Sequence, residues 1–429
     1  MLAMLLIIFL VLMIVGAPIA VALGLSTIIP SMAFHQLSLS SIIKSSTGAF
    51  ASYLLVACPL FTFSGDIMAK GGISKRLVNV AKLVFGNVTG GIGMVSIVAA
   101  MIFSAISGTG SATVSAIGMM MIPEMVAAGY DRAYGTSMIA AAGTIGTMIP
   151  PSVCQVVYAV TAGVSLTSMF TAGIPSGIMV GLFLIGYCYI SSKQRGYRPA
   201  RKIHVNGKEA LHTVLDAIPA FLVPLIILGG IYGGFVTPTE SAALGCIVGI
   251  IVSLFVYKEV TVKDLPYFAC HSMLVAAPVM FIIGMSTGFG SFLSMAKVPT
   301  MVATWILGIT SNKYVLLMII NVIYLIMGTF METNACIILM TPILLPVVKA
   351  VGVSPVHFGL ISIVNLAIGF VTPPLGANLF MASAIGRVDI NVLAKTIWPW
   401  IVAMIAALLL ITYIPAITIG IPQLLGMQV

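Results

Sequence analysis

The chain has 429 residues, of which 60% are apolar and only 7% charged, and its mean hydropathy is +1.19. A soluble domain carries about 25% charged residues, so this composition excludes a soluble globular protein, a disordered chain and a disulfide scaffold, and describes an integral membrane protein. The net charge of +9 arises from basic residues in short polar stretches beside apolar spans, which is topology information and not a nucleic-acid footprint.

In chain order, apolar segments predict spans near residues 1–16, 19–34, 50–69, 133–162 and 171–190, then near 217–235, 239–257, 267–295, 356–386 and 396–420. The stretch Met1 to Val15 lacks a positive leader, so it reads as a first membrane helix and not as a cleaved signal peptide. Residues 72–87 carry apolar side chains at helical spacing together with Lys75, Arg76 and Lys82, the pattern of an amphipathic helix lying on the membrane surface. Residues 92–128 and 314–350 read as re-entrant hairpins, and 133–162 and 356–386 as helices broken at membrane depth. The six cysteines are scattered and form no Cys-x-x-Cys pair, which points to buried free thiols. The five histidines show no metal spacing, and no Walker A motif occurs. His35, His204 and His357 read as loop or interfacial residues. Trp305, Trp398 and Trp400 fit interfacial belts.

Landmarks recur at an offset of about 220 residues. Pro18 pairs with Pro238, Pro59 with Pro278, Gly108-Thr109 with Gly328-Thr329, Pro123 with Pro342, Pro150-Pro151 with Pro373-Pro374, and Pro175 with Pro399. Such order over most of a chain is the mark of internal duplication. It divides the sequence into a first repeat, 1–190, a basic linker, 191–213, and a second repeat, 214–429. The linker holds Lys193, Arg195, Arg198, Arg201, Lys202 and Lys208, which places it in the cytoplasm. Charge-rich loops of one repeat match charge-poor loops of the other, as inverted repeats require. With the linker inside, only Lys44, Lys297, Lys313 and Lys349 fall on the outer side, and both termini are expected there.

Four breaks interrupt the apolar runs: Ser104–Ser115, Gly328–Asn334, Gly143–Ser152 and Asn365–Pro374. A lipid-embedded backbone must satisfy its own hydrogen bonds, so such breaks are tolerated where they line a cavity or an ion site. Paired breaks in two halves point to a transporter's binding site. Double prolines remove helix hydrogen bonds and leave carbonyl oxygens, hard ligands suited to a cation such as sodium. Half-helix N-termini at the same breaks favour an anion. Close packing through small residues is the alternative use of these Gly/Ser/Thr clusters. Glu332 could tune an ion site, bind a proton or make a structural hydrogen bond. Asp66 and Glu240 read as caps or interface contacts, Glu124 as solvated, and Asp131-Arg132 as a solvated turn.

The segment 229–243, with its Thr237-Pro238-Thr239-Glu240 core, resembles the large membrane subunit of TRAP (tripartite ATP-independent periplasmic) transporters. So do the hairpin tip 107–112, Ile149-Pro150-Pro151-Ser152, and the run 372–378. Ser241 stands where alanine is common in that motif. The resemblance spans essentially the whole chain. It implies an all-α fold of inverted repeats, each with a re-entrant hairpin and a broken transmembrane helix, working as an elevator. It implies sodium-coupled import, into a bacterium through its inner membrane, of a carboxylate-bearing organic anion such as a sialic acid or a C4-dicarboxylate. A periplasmic substrate-binding protein and a small four-helix membrane subunit are the implied partners. The chain is expected to be the separate large subunit, with no small-subunit segment ahead of Met1.

By the same resemblance one sodium site is expected at Ser104, Ser107, Gly108, Thr109, Gly143 and Gly146. A second is expected at Gly328, Thr329, Glu332, Thr333, Asn334, Gly369 and Thr372. Ser111, Pro150, Pro151, Asn334, Asn365 and Pro373 are expected to face the substrate. A proton-coupled transporter using Glu332, or a passive channel, remains the alternative. A membrane-embedded enzyme would need a nucleophile–base pair or a metal cluster, and neither is evident.

Overall fold

The computed structural model describes residues 2–34, 39–197, 207–298 and 312–429, with 301, 304, 308 and 310. His35, Arg198, Arg201, Lys202, His204 and Trp305, placed above in loops, linker or interface, lie outside the described residues. Regular structure among those residues is entirely helical. Among the described residues, seven helices are long and apolar enough to cross a membrane, or up to nine if two bent pairs each count as one span. This is a multi-pass membrane protein.

The first half runs α1 (Leu2–Ile14), α2 (Ile19–Phe34), α3 (Leu39–Phe50), α4 (Ala57–Lys70), α5 (Ile73–Phe85), α6 (Gly91–Ser107), α7 (Gly110–Ala127), α8 (Arg132–Gly143), α9 (Val153–Ala162) and α10 (Leu166–Arg195). The second runs α11 (Gly207–Tyr232), α12 (Pro238–Ile251), α13 (Leu265–Met295), α14 (Lys313–Phe330), α15 (Thr333–Ala350), α16 (Pro355–Gly369), α17 (Ala377–Gly386), α18 (Ile390–Thr396), α19 (Trp398–Tyr413) and α20 (Ala416–Leu424). Two expected spans need correction. The one near 50–69 is preceded by a helix the composition hid, and the pair bends by 47° at residues 51–52. The one near 396–420 starts earlier, bends by 46° where Pro399 opens α19, and stops at Tyr413, because Pro415 starts a separate short helix.

Helix starts follow local chemistry. Thr237 and Glu240 form a capping box around Pro238 at the head of α12, which satisfies backbone donors that no helical partner reaches. Asp131, exposed as expected, also caps α8 by accepting from the Tyr134 N–H at 2.8 Å.

Burial sorts the helices. α16 is buried along almost its whole length, as are α8 and the start of α9. In α13 only 28% of the most apolar window is buried, and in α11 33%. Their outward Leu, Val and Phe side chains suit a hydrocarbon solvent. Trp400, expected in an interfacial belt, is instead fully buried between Tyr134 and Tyr187. Trp398 is exposed. His357 is likewise buried, with Nδ1 against Thr418 Oγ1 at 2.7 Å and Nε2 against the Thr412 carbonyl at 3.2 Å. Five cysteines are buried and Cys270 is exposed.

The halves interlock reciprocally. α7 of the first hairpin packs on α17, and α15 of the second hairpin packs on α9. The amphipathic α5 buries Ile73, Leu77, Val78 and Ala81. Arg76 near its start meets Asp216 at 3.1 Å and Glu259 at 2.9 Å, and its guanidinium lies 3.5 Å from the Tyr257 ring centre. Lys82 near its end meets Glu124 of α7 at 2.7 Å, so Glu124 is ion-paired and not merely solvated.

Candidate functional site

Helices α6 and α7 meet at a tip of two residues, Gly108 and Thr109. Gly108 holds a left-handed φ of 64°, which a side chain tolerates poorly. The tip sits directly on the break between α8 and α9. There the chain leaves α8 at Gly143, makes one 3-10 turn over Thr144–Thr147, and re-enters a helix at Val153. The Val153 N–H donates to the Gly108 carbonyl at 3.2 Å. A Cβ on Gly108 would lie 2.5 Å from the Pro151 carbonyl oxygen, and one on Gly146 2.4 Å from that of Thr109. Only glycine lets two backbones approach so closely. Ser107 Oγ and Thr113 Oγ1 are 2.9 Å apart, and both donate toward the Thr109 carbonyl. Carbonyls and hydroxyls thus converge in a buried spot, a donor set suited to a hard monovalent cation. Of the residues expected at the first site, Ser107, Gly108, Thr109, Gly143 and Gly146 come together here. Ser104 lies one turn down α6 and spends its hydroxyl on the Ala100 carbonyl at 2.6 Å.

The second hairpin repeats the arrangement with α14, α15 and the break after α16. A Cβ on Gly369 would lie 2.4 Å from the Gly328 carbonyl carbon, so the two backbones touch. Thr372 donates to the Ile368 carbonyl at 2.8 Å and Thr329 to that of Leu325 at 2.9 Å. Glu332 is the N-cap of α15. Its carboxylate accepts from the Ala335 N–H at 2.9 Å and from Asn334 Nδ2 at 2.8 Å, which is the structural use among those the sequence left open. Among the described residues, Thr333 Oγ1 and Asn334 Oδ1 are buried without a partner. A buried, unsatisfied polar atom costs about 1–3 kcal/mol, so these two fit a ligand that the chain itself does not supply. Both double-proline peptide bonds, Pro150-Pro151 and Pro373-Pro374, are cis.

A cavity of about 750 Å³ opens beside the first hairpin. Thr109, Ser111, Ala112 and Ser115 line it from the hairpin, Thr62, Asp66 and Lys70 from α4, and His271 from α13. Thr109 makes no side-chain cap on α7, and a helix N-terminus attracts an anion. Asp66 is engaged across the cavity wall, accepting from Ser272 Oγ at 2.9 Å and lying 2.8 Å from His271 Nδ1.

Of the residues expected to face substrate, only Ser111 lines this cavity. Pro150 and Pro151 are buried and Pro373 is half-buried. Asn365 is fully buried one turn before its break, where Nδ2 donates to Asn321 Oδ1 and to the Ile361 carbonyl, both at 2.8 Å. Sequence reasoning missed Lys70 and Asn378. The second was readable, because each double proline is followed four residues later by a carboxamide, Gln155 in one half and Asn378 in the other. Among the described residues no three His, Cys, Asp or Glu side chains gather to hold a metal.

Comparison with known proteins agrees with this architecture. The solved YdaH transporter of Alcanivorax borkumensis is 17% identical and superposes with a TM-score of 0.64 over 90% of this chain and 88% of its own. That shows a shared fold. The isethionate TRAP transporter permease protein DctMQ of Oleidesulfovibrio alaskensis is 44% identical over 95% of this chain, which spans 64% of that protein's length. The C4-dicarboxylate TRAP transporter large permease protein DctM of Pseudomonas aeruginosa is 35% identical over 95% of each chain. The sialic acid TRAP transporter large permease protein SiaM of Vibrio cholerae is 34% identical over 94% of each. Residues 6–417 match the family profile of the tripartite ATP-independent periplasmic transporter, DctM component, and the chain belongs to that family of large permease subunits.

Proposed function

We propose that this chain moves a small organic anion into the bacterial cell across the inner membrane, driven by sodium. One observation carries the reading: the uncapped N-terminus of α7 faces a cavity of about 750 Å³ directly beside a buried cluster of carbonyl and hydroxyl oxygens. An anion at the helix end and a cation at the tip would stabilise each other across a short, partly dry distance. Lys70 adds a positive charge to the cavity wall. The substrate class is a carboxylate or sulfonate. C4-dicarboxylate and sialic acid relatives support the carboxylate, and the isethionate relative extends the class to sulfonates.

In this reading the two halves are inverted repeats and both termini lie outside. The hairpins with their broken helices move as an elevator against the remaining helices. A small four-helix membrane subunit completes the transporter, and a periplasmic binding protein delivers the substrate. The recurring helix order and the reciprocal packing of α7 on α17 and α15 on α9 support the repeat reading.

The test is uptake into vesicles holding this chain with its small subunit, with binding protein outside, offering isethionate, a C4-dicarboxylate and a sialic acid in turn. Uptake of one of them should collapse when the sodium gradient is replaced by potassium, and Ser107→Ala should raise the sodium needed for half-activation. Sodium-independent flux would support the passive facilitator instead.

A further inference from the structure

Asn378 belongs to the second half, on α17, yet its side chain lies against the tip of the first hairpin. It is fully buried. A Cβ placed on Gly110 would be 2.9 Å from its Nδ2, 3.3 Å from its Oδ1 and 3.3 Å from the Gly143 carbonyl oxygen. Among the described residues neither amide atom has a hydrogen-bond partner. The corresponding residue of the first half behaves differently. Gln155 is also fully buried, but its Nε2 donates to the Met148 carbonyl and so braces its own break. A buried carboxamide is ordinarily hydrogen-bonded. Asn378 braces nothing and stands where carbonyl oxygens of the hairpin and the break crowd together. A half-turn of its amide presents either oxygen or nitrogen to the same point. The carbonyl oxygens of Gly110 and Gly143 lie close together there, and with the Asn378 amide oxygen they make hard ligands of the kind a cation accepts.

We infer that Asn378 is a ligand of the cation bound at the first hairpin, supplied across the interface by the other half of the chain. The inference rests on the reading of that hairpin as a sodium site and adds its contributor in trans. Sodium bound there fastens α17 to α7, so occupancy at the first hairpin is felt by the helix that follows the second break.

The experiment uses the chain with its small subunit, purified in detergent. The melting temperature is followed while sodium chloride, then lithium chloride, replaces choline chloride at constant ionic strength. Uptake in vesicles gives a second reading. Asn378→Leu should raise the half-saturating sodium concentration about tenfold, the loss expected for one ligand to a charge. Asn378→Asp, which keeps an oxygen, should retain sodium binding with an altered sodium-to-lithium preference. A Leu variant that binds sodium like the wild type, while Ser107→Ala is shifted, would overturn the role of Asn378 and leave the hairpin site standing. A wild-type protein indifferent to sodium would overturn both. Should the Leu variant not fold, Asn378→Asp decides alone, because an unchanged affinity and ion preference would equally overturn the inference.

Discussion

The two hairpin-and-break assemblies share a backbone and differ in how they use it. In both, glycine lets a hairpin touch a broken helix, at Gly108 and Gly146 in one and at Gly328 and Gly369 in the other. Around the first, the whole break from Gly143 to Ser152 is buried, while in the second Pro374 and Leu375 are exposed. The N-terminus of α15 is satisfied by Glu332, a carboxylate carried by the chain itself. The N-terminus of α7 is left open onto the cavity. A side chain of the chain itself therefore fills one helix end, while the other helix end borders the cavity.

The largest expected effect tests the shared part. Gly369→Ala should destabilise the protein by about 3 kcal/mol, because backbone of Gly328 cannot yield to a Cβ. Gly186→Ala, at a position with no described atom within 4 Å, should change stability by no more than about 1 kcal/mol. Equal melting temperatures for the two variants would refute the contact. Gly146→Ala should cost about 2 kcal/mol and weaken sodium activation, since the new carbon would meet Thr109 O and Thr113 Oγ1. Intact sodium activation in this variant would separate the first hairpin from ion binding. Thr109→Asp should make the two helix ends alike. Uptake should fall about tenfold while stability holds or rises by about 1 kcal/mol, and uptake at the wild-type rate would show that the α7 terminus does not meet substrate. The smallest effect belongs to Glu332→Gln, about 0.5 kcal/mol for a weaker cap. Its pH profile of uptake should match the wild type, and a flattened profile would make Glu332 a proton carrier.

Much of this architecture is legible in the residues. Apolar run lengths mark the spans, and prolines with Gly/Ser/Thr clusters mark the hairpin tips and breaks, because a helix in lipid tolerates neither without cause. Other features depend on tertiary packing. Nothing local tells that Trp400 is enclosed by Tyr134 and Tyr187, since a tryptophan near a helix start looks interfacial whichever way it points. Asn365 stands beside a break in sequence, yet it faces Asn321 of α14. Lys70 directly follows the span expected near 50–69, and its place on the cavity wall follows only once α4 and α7 are side by side.

The surface helix α5 has a mechanical consequence. Arg76 ties one end to Asp216 and Glu259, and Lys82 ties the other to Glu124 on the hairpin. A rod fastened at both ends cannot let its load travel without turning about its root. Gly71 and Gly72 join α4 to α5, and Gly72 holds a φ of 76° against the Glu259 carboxylate. In the proposed elevator, these ion pairs and the short connection from α4 to α5 would couple displacement of the first hairpin to α5.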